Sequence, residues 1–132
     1  MNNFLPVTKK EMLDLGWEQP DIVYISGDAY VDNPSFGASI ITRVLQARGY
    51  KVAVISQPDW HKKDDFMRFG KPRLAFFISS GNIDSMVAHY TVAKKPRRTD
   101  AYTAGGVIGK RPDRAVIVYS NAVKDIYPDT PV

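Results

Sequence analysis

Short continuous apolar runs alternate along the chain with stretches in which apolar residues recur every three or four positions. The continuous runs are 21–26 (DIVYIS), 51–56 (KVAVIS) and 73–78 (RLAFFI). Such runs are typical of strands that are buried on both faces of a parallel sheet. Apolar residues with helical spacing follow in 36–45 and 83–90,. The alternation predicts βαβ units with right-handed crossovers.

The first predicted helix begins at Pro34 and Ser35, residue types that favour a helix start, and ends at Gly49,. Its apolar stripe is expected to face the sheet and consists of Phe36, Ile40, Ile41, Val44 and Leu45. The helix after the third strand is expected to pack through Ile83, Met86, Val87 and Tyr90, which lie at i, i+3, i+4 and i+7,.

Both ends of the chain carry helix signals. Thr8 and Glu11 have capping-box spacing, which predicts one short helix in an N-terminal arm formed by residues 1–20. Residues 112–127 allow two interpretations, because AVIVY (115–119) is rich in β-forming residues whereas the apolar residues of the whole segment share one helical face,. We favour the helix, since Pro112 suits its first turn and Pro128 ends it.

These elements predict a three-layer α/β fold, a Rossmann- or flavodoxin-like open parallel sheet of about four strands. Residues 21–132 form the α/β domain, and 93–111 form a long loop without periodicity,. The closing residues Thr130, Pro131 and Val132 resemble the start of another strand. We therefore expect the chain to be a fragment of a longer protein.

Composition narrows the chemistry that these residues can support. The 132 residues include no cysteine and two histidines, which excludes thiolate catalysis, disulfides and a cysteine-ligated zinc or iron–sulfur site within them. No apolar run approaches the roughly 20 residues that span a bilayer. The first residues lack the apolar region of a secretory signal, so we expect a cytoplasmic protein.

The carboxyl ends of the predicted strands carry small polar residues. In open parallel sheets, ligands bind outside these ends, near the point where the strand order reverses. The candidate ligand crevice therefore consists of Ser26, Gly27, Asp28, Ser56, Asp59, Ser79, Ser80, Gly81 and Asn82. Loops that follow strands are also polar and rich in glycine because tight turns favour these residues. The alternative interpretation is therefore that these residues form turns and bind no ligand.

Acidic and histidine side chains near these ends suggest further roles. Asp28 and Asp32 lie in one loop, and Asp59 approaches from the next strand, so paired carboxylates for a cation or a shared proton are one interpretation. The other interpretation is that these aspartates stabilise turns, and we expect no metal site. His61 and His89 are candidate general bases, although a lone histidine is more often structural.

Positive charge is concentrated in the long loop and just after it. The basic residues are Lys94, Lys95, Arg97, Arg98, Lys110, Arg111 and Arg114, against only Asp100 and Asp113. This basic loop has three interpretations: a solvated surface, a nucleic-acid contact, or a face that packs on another domain. Tyr102 is the only aromatic residue inside the loop, so the interleaved aromatics typical of nucleic-acid binding are missing and we expect no nucleic-acid partner.

Three segments carry a family resemblance. They are GDAYVDNPSFG (27–37), SSGNIDSMVAHYT (79–91) and DAYTAGGVIGKRPDRAVIVYSN (100–121). Through them the sequence resembles the N-terminal region of the YgiQ-like radical SAM proteins, a family of uncharacterised bacterial proteins. The resemblance implies a parent protein that continues into a radical SAM barrel, with a [4Fe–4S] cluster on a CxxxCxxC motif and S-adenosylmethionine as cofactor. Because the chain has no cysteine, no catalytic residue carries over to it.

The segment PSFGASIITRVLQARGYKVAVI (34–55) also looks like the cobalamin-binding-type domain that precedes many radical SAM barrels. The DxHxxG lower-ligand motif of true cobalamin binders is absent, since Asp28 begins the sequence DAYVDN, and Asn33 stands where family members often have histidine. No cobalamin is therefore expected. The resemblance does not define the oligomeric state.

Three functional hypotheses follow. The leading one is a non-catalytic N-terminal domain of a radical SAM iron–sulfur enzyme of unknown substrate, which packs on or covers the C-terminal barrel of the same chain. A stand-alone anion- or nucleic-acid-binding module is the alternative. The third is a small α/β enzyme that acts through Asp28, Asp59 or His61.

Overall fold

The computed structural model describes residues 4–29 and 36–132. The predicted helix start at Pro34 and Ser35 lies outside the described residues, as do Asp32 and Asn33.

A parallel sheet forms the centre of the domain. Its strands are β1 (Ile22–Ser26), β2 (Val52–Ser56) and β3 (Ala75–Ser79), in the order β2-β1-β3. All pairing is parallel and in register, with Ile22 opposite both Val52 and Ala75. The α/β class with an open parallel sheet is confirmed, and the described residues form three strands where about four were predicted.

Helices connect and flank the strands. They are α1 (Lys9–Asp14), α2 (Gly37–Ala47), α3 (Lys63–Phe66), α4 (Ser85–His89) and α5 (Ala115–Ile126), with a single 3₁₀ turn at Ala104–Gly106. The capping box of Thr8 and Glu11 forms at the start of α1. Residues 115–126 are helical, which confirms the helix over the strand alternative. None of the helices in the described ranges is long and apolar enough to cross a membrane.

Each face of the sheet has its own apolar cluster. On one face, Val23, Ile25 and Phe76 pack with α3 and α5, and Tyr119 of α5 is fully buried there. On the other face, Tyr24 and Val54 pack with Leu5 of the arm and with α2. The outer edge of β2 is also covered by the arm, because the Val54 N–H donates to the Pro6 carbonyl at 2.9 Å.

Two helices turn a different face inward than the apolar spacing predicts. In α2, Ser39 and Thr42 are buried, whereas Ile40, Ile41 and Val44 are about half exposed. The Thr42 hydroxyl can be buried because it donates to the Ala38 carbonyl at 2.6 Å,. The predicted inward stripe of α2 therefore lies largely on the surface.

In α4 the buried residues are Ser85, Ala88 and His89, and Met86 and Val87 are exposed. The reason is a polar anchor. His89 Nδ1 lies 2.7 Å from Asp113 Oδ1, which turns this side of the helix toward the segment that leads into α5. The predicted inward face of α4 is wrong for Met86 and Val87.

Candidate functional site

Three serines end the three strands in one row. Ser26 is paired with Ser56 on one side and with Ser79 on the other. Because paired residues of a parallel sheet project to the same face, the three hydroxyls share the face that α2 covers. The row thus lies at the carboxyl ends of the strands, where the sequence predicts the crevice.

A small cavity of about 120 Å³ opens above this row. The strand ends contribute Ser26, Asp28, Ser56, Ser79, Gly81 and Asn82. The beginning of α2 contributes Phe36, Gly37, Ala38 and Ser39, and an apolar floor comes from Tyr24, Val54 and Ile41. Six of the nine predicted crevice residues therefore line one cavity. Gly27 and Ser80 do not line this cavity.

Two glycines allow the walls to approach each other. A side chain at Gly27 would collide with the Ser80 carbonyl, and one at Gly81 would collide with the Asp28 carboxylate. Gly81 also has φ +107°, a conformation that favours glycine,. Both glycines are thus required by the packing of the first and third strand ends.

Arg111 is the centre of a buried ion network beside the cavity. Arg111 is 1% exposed, and its guanidinium binds Asp100 through two bonds, from Nε at 2.9 Å and from Nη2 at 2.8 Å. Nη1 donates to Asp28 Oδ1 at 3.0 Å and lies 3.2 Å from the Ser80 carbonyl. This two-pronged geometry is the arrangement in which arginine binds carboxylates most strongly.

The two carboxylates of the network differ in their pKa. Burial raises the pKa of Asp28 above its ordinary value, and the N–H of Asn82 and the charge of Arg111 only partly oppose that effect. Burial also acts on Asp100, but the hydrogen bonds from Arg111 and the Tyr102 N–H outweigh it and lower the pKa of Asp100.

The network fixes the basic loop over the strand ends. The Ala29 N–H donates to the Tyr102 carbonyl at 2.8 Å. Gln57, in a left-handed conformation with φ 42°, donates from its side-chain amide to the Thr103 hydroxyl at 2.7 Å and to the Gly27 carbonyl at 3.2 Å. Residues 100–111 are therefore held against two strand ends at once.

The remaining basic side chains of the loop differ from Arg111. Arg97 donates from Nε to the carbonyls of Val87 and Tyr90, at 2.9 and 3.1 Å, and so closes the end of α4. Arg97 is itself exposed, and the other exposed cations are Lys94, Lys95, Arg98, Lys110 and Arg114. Of the seven predicted basic residues, six are therefore exposed to solvent. Arg97 among them also holds the backbone at the end of α4, and Arg111 is buried.

Asp59 and His61 lie away from the serine row. They line a separate hollow of about 380 Å³ with Trp60, Asp65 and Lys110. Asp59 makes hydrogen bonds to residues close to it in sequence. Its Oδ1 accepts from the His61 N–H at 3.1 Å, and its own N–H donates to Asp65 Oδ2 at 2.6 Å. The structure does not bring Asp59 to the cavity lined by Asp28.

His89 and Asp113 form a second polar cluster, between α4 and α5. Asp113 Oδ1 lies 2.7 Å from His89 Nδ1, and Oδ2 accepts from the Tyr90 hydroxyl at 2.9 Å. The hydrogen bond to His89 lowers the pKa of Asp113, burial opposes this shift, and the hydrogen bond from Tyr90 adds to it. His89 is only 7% exposed and does not line the cavity.

Part of the polar wall of the cavity is already engaged by hydrogen bonds within the chain. Two of the three serine hydroxyls already accept backbone N–H groups, Ser26 from Asp28 and Ser79 from Gly81. Neither histidine lines the cavity. Within 4–29 and 36–132, no group of three or more histidine, aspartate or glutamate side chains is placed to bind a metal ion.

The sequence does not indicate the roles of two residues of the site: Arg111, which it predicts only as one of the basic side chains of the loop, and Gln57. Arg111 stands in a run of basic residues, so its pattern is that of a solvated charge, and only the isolated acid Asp100 eleven residues earlier hints at an internal pair. Gln57 follows the second strand and carries no motif. Its role depends on a backbone conformation that composition does not signal.

Comparison with known proteins gives a consistent result. Residues 4–132 match the model of a family described as "Radical SAM N-terminal". The chain is 55% identical over 129 residues to a UPF0313 protein of Thermotoga maritima, which covers 98% of this chain and 23% of the relative. A UPF0313 protein of Pseudomonas aeruginosa is also 55% identical over 129 residues, covering 98% of this chain and 17% of the relative.

A UPF0313 protein of Clostridium perfringens is 55% identical over 128 residues, which is 19% of its length. The chain thus spans less than a quarter of the length of these curated relatives. No solved structure gives a significant match.

Proposed function

The chain belongs to the radical SAM N-terminal family, and on this premise we propose that it is the non-catalytic N-terminal domain of a radical SAM iron–sulfur enzyme. In this proposal the domain packs on or covers the C-terminal barrel of the same polypeptide, in the cytoplasm, and the substrate is undefined. The observation that carries the proposal is the family match over residues 4–132 in a chain that covers only 23% of the Thermotoga relative.

The cofactors that the family implies do not fit these residues. A [4Fe–4S] cluster of this kind needs three cysteine thiolates, and the chain has no cysteine,. The described residues also hold no alternative cluster of metal ligands. The cluster and S-adenosylmethionine are therefore assigned to the part of the parent protein outside this domain.

The exposed side of the basic loop is the surface that we assign to the barrel. Lys110 projects from the part of the loop that the Arg111 network holds. Lys94, Lys95 and Arg98 are exposed beside a turn that is closed by the Thr91 N–H, which donates to the Lys95 carbonyl at 2.9 Å, and by the Arg97 N–H, which donates to the His89 carbonyl at 2.7 Å. A fixed loop loses little conformational entropy when it docks, so it suits a permanent contact within one polypeptide. Its charge favours an acidic surface on the barrel.

The reactivity of lysines toward an acetylating reagent tests this assignment in the full-length protein. Lys94, Lys95 and Lys110 should react roughly fivefold more slowly than Lys51 and Lys71, because a docked surface excludes solvent. The two control lysines are exposed and precede β2 and β3, at the opposite end of the sheet. Equal reactivity of all five lysines would contradict docking through the basic loop.

Two substitutions test the non-catalytic role. Ser56→Ala and Asn82→Ala alter the cavity wall, and the full-length enzyme carrying either one should cleave S-adenosylmethionine reductively at a rate within about twofold of the unmodified enzyme. Removal of a group that takes part in proton transfer usually costs a factor of 10² or more, as an order of magnitude. A loss of that size, with the cluster intact by its absorbance, would overturn the proposal.

A further inference from the structure

The two edges of the sheet differ in how they are covered. At β2 the edge meets the N-terminal arm, through the bond from the Val54 N–H to the Pro6 carbonyl. At β3 no further strand lies beside the edge in the described ranges, and a single backbone bond reaches it, from the Phe76 N–H to the Pro131 carbonyl at 3.0 Å. An open edge of this kind is a ready site for another strand.

Helix α5 leads the chain back to the beginning of β3. Its first turn lies near the end of β3, since Ala115 and Ser80 line one hollow. Its last residues lie near the beginning of β3, where the Tyr127 ring stacks on Phe76 with 5.7 Å between ring centroids. Strand β3 and α5 are therefore the first two parts of a βαβ unit, and the chain leaves α5 in the position where a parallel strand starts.

The bond at Phe76 defines a register for that strand. In a parallel pair, the residue whose N–H donates to the carbonyl of residue j lies opposite residue j+1. Because the Phe76 N–H donates to the Pro131 carbonyl, Phe76 lies opposite Val132. Because strand residues alternate, the carbonyl of Phe76 and the N–H of Ile78 point to the same free edge. Both groups would be satisfied by the N–H and the carbonyl of the first residue after Val132.

A long groove continues along this edge. It has a volume of about 690 Å³ and is lined by Phe77 and Ile78 of the strand, Ile41 of α2, and Val116 and Ser120 of α5, with Val132 at its beginning. Phe77, Ile41 and Val116 are 37%, 45% and 45% exposed. Apolar side chains thus flank the free edge on both faces of the sheet, as they do beside a central strand.

We propose that this groove receives a fourth parallel strand, formed by the residues that follow Val132 in the full-length protein. The relatives are more than four times as long as this chain, so polypeptide is available to fill it. The flanking side chains require an apolar strand with a hydrogen-bonding ladder that begins at Phe76 and extends to Ile78. The sheet of the domain would then include residues beyond Val132.

Amide hydrogen exchange resolved to single residues tests the proposal. In the full-length protein the Ile78 amide should exchange at least about 100-fold more slowly than in the 132-residue chain, because it becomes part of a ladder. The Val23 amide, in the central strand β1, serves as the reference in both samples. Equally fast exchange of the Ile78 amide in both proteins would overturn the proposal.

A pair of neighbouring substitutions on α5 gives a second readout. Val116 lines the groove and Ile117, which is 53% exposed, does not. Val116→Asp should lower the melting temperature of the full-length protein by about 4 °C or more, and Ile117→Asp by less than about 1 °C. In the 132-residue chain both variants should melt within about 1 °C of the unmodified chain. Equal effects of the two substitutions in the full-length protein would contradict a filled groove.

A second copy of the protein is the competing occupant. In that case the Ile78 amide would lose its protection on dilution of the full-length protein, and sedimentation would show a dimer, which overturns the proposal. The inference concerns the side of the sheet rather than its carboxyl end. The fourth strand can therefore be disproved while the slow reaction of the loop lysines is still observed. Equally, docking through the basic loop can be disproved while the fourth strand is still observed.

Discussion

Arg111 joins three segments that are distant in sequence. Its guanidinium binds Asp28 after β1, the Ser80 carbonyl after β3, and Asp100 within the basic loop. A buried arginine of this kind contributes order more than net stability, because the cost of removing three charges from water offsets much of their attraction. The cost becomes visible when one partner is removed.

Replacement of Arg111 by methionine should destabilise the chain by about 3–5 kcal/mol, because Asp28 and Asp100 would remain buried without their cation. Arg111→Lys should have a smaller effect, since an ammonium retains the positive charge beside both carboxylates, although it cannot bind both oxygens of Asp100 as the guanidinium fork does. Urea denaturation measures both changes. Lys110→Met is the matched control, is exposed, and should change the free energy of unfolding by less than about 0.5 kcal/mol,.

Gly81→Ala should cost about 2 kcal/mol or more, because the new methyl group collides with the Asp28 carboxylate in a backbone conformation that already disfavours alanine,. Gly109→Ala separates the two effects, since Gly109 has φ +85° and nothing lies within 4 Å of its missing side chain. That control should cost about 1 kcal/mol. Equal losses in thermal or urea unfolding would argue against a close contact at Gly81.

The Asp113 carboxylate should make stability depend on acid pH. Its pKa is lowered in the folded chain from 3.8, chiefly by the hydrogen bond to His89. A carboxyl group with a lowered folded pKa stabilises the fold above its unfolded pKa, and this contribution is lost as the pH falls through the folded value.

Asp113→Asn should therefore lower the melting temperature at neutral pH and reduce the further decrease between about pH 4 and pH 2. Thermal unfolding followed by circular dichroism gives both quantities. Asp125→Asn, on the exposed part of α5, is the control and should retain the acid dependence of the unmodified chain. An unchanged acid slope in Asp113→Asn would show that the His89 contact does not contribute.

The sequence pattern predicts which residues meet at the carboxyl edge of the sheet, because the ends of continuous apolar runs are easy to identify. Ser26, Ser56 and Ser79 each follow a continuous apolar run, and parallel pairing brings such ends to one edge,. Asp59 follows the second run by only three residues, but a local turn with His61 and Asp65 carries it to another hollow. The burial of Arg111 was not predictable, since arginine is seldom fully buried and its partners lie 11 and 83 positions away,.

In helix α2 the apolar periodicity predicts the helix but not the face that it turns toward the sheet. Its apolar stripe indicates a helix correctly, but half of that stripe is directed away from the sheet strands that α2 covers. A prediction from the spacing of apolar residues assumes that the sheet is the only apolar surface that the helix contacts. Ile41 instead faces the groove beside β3, so the stripe is split between two surfaces.

A comparison of two neighbouring residues of α2 tests this arrangement. Leu45 packs on the cluster around Tyr24 and Val54, whereas Val44 is 52% exposed. Leu45→Lys should lower the free energy of unfolding by about 2 kcal/mol, and Val44→Lys by less than about 0.5 kcal/mol. Denaturant titration of the two variants distinguishes them. The reverse order would mean that Val44, rather than Leu45, packs on the sheet.

The charge of the domain does not by itself indicate a nucleic-acid partner. The net charge of +4 is modest, and Arg111, the most central of the basic side chains, is internal. Fluorescence anisotropy with single- and double-stranded RNA and DNA oligonucleotides should show no saturable binding at low salt. Binding that weakens linearly in log K against log salt would instead favour the anion- or nucleic-acid-binding alternative.

The Asp28–Arg111 contact closes a loop of 83 residues. Loop closure on this scale costs entropy before any contact compensates for it, so the pair is expected to form after the neighbouring strands have assembled. Folding would then proceed from the sheet outward, with the basic loop docking last on a surface that already exists. Loss of Arg111 should accordingly speed unfolding while leaving the folding rate almost unchanged.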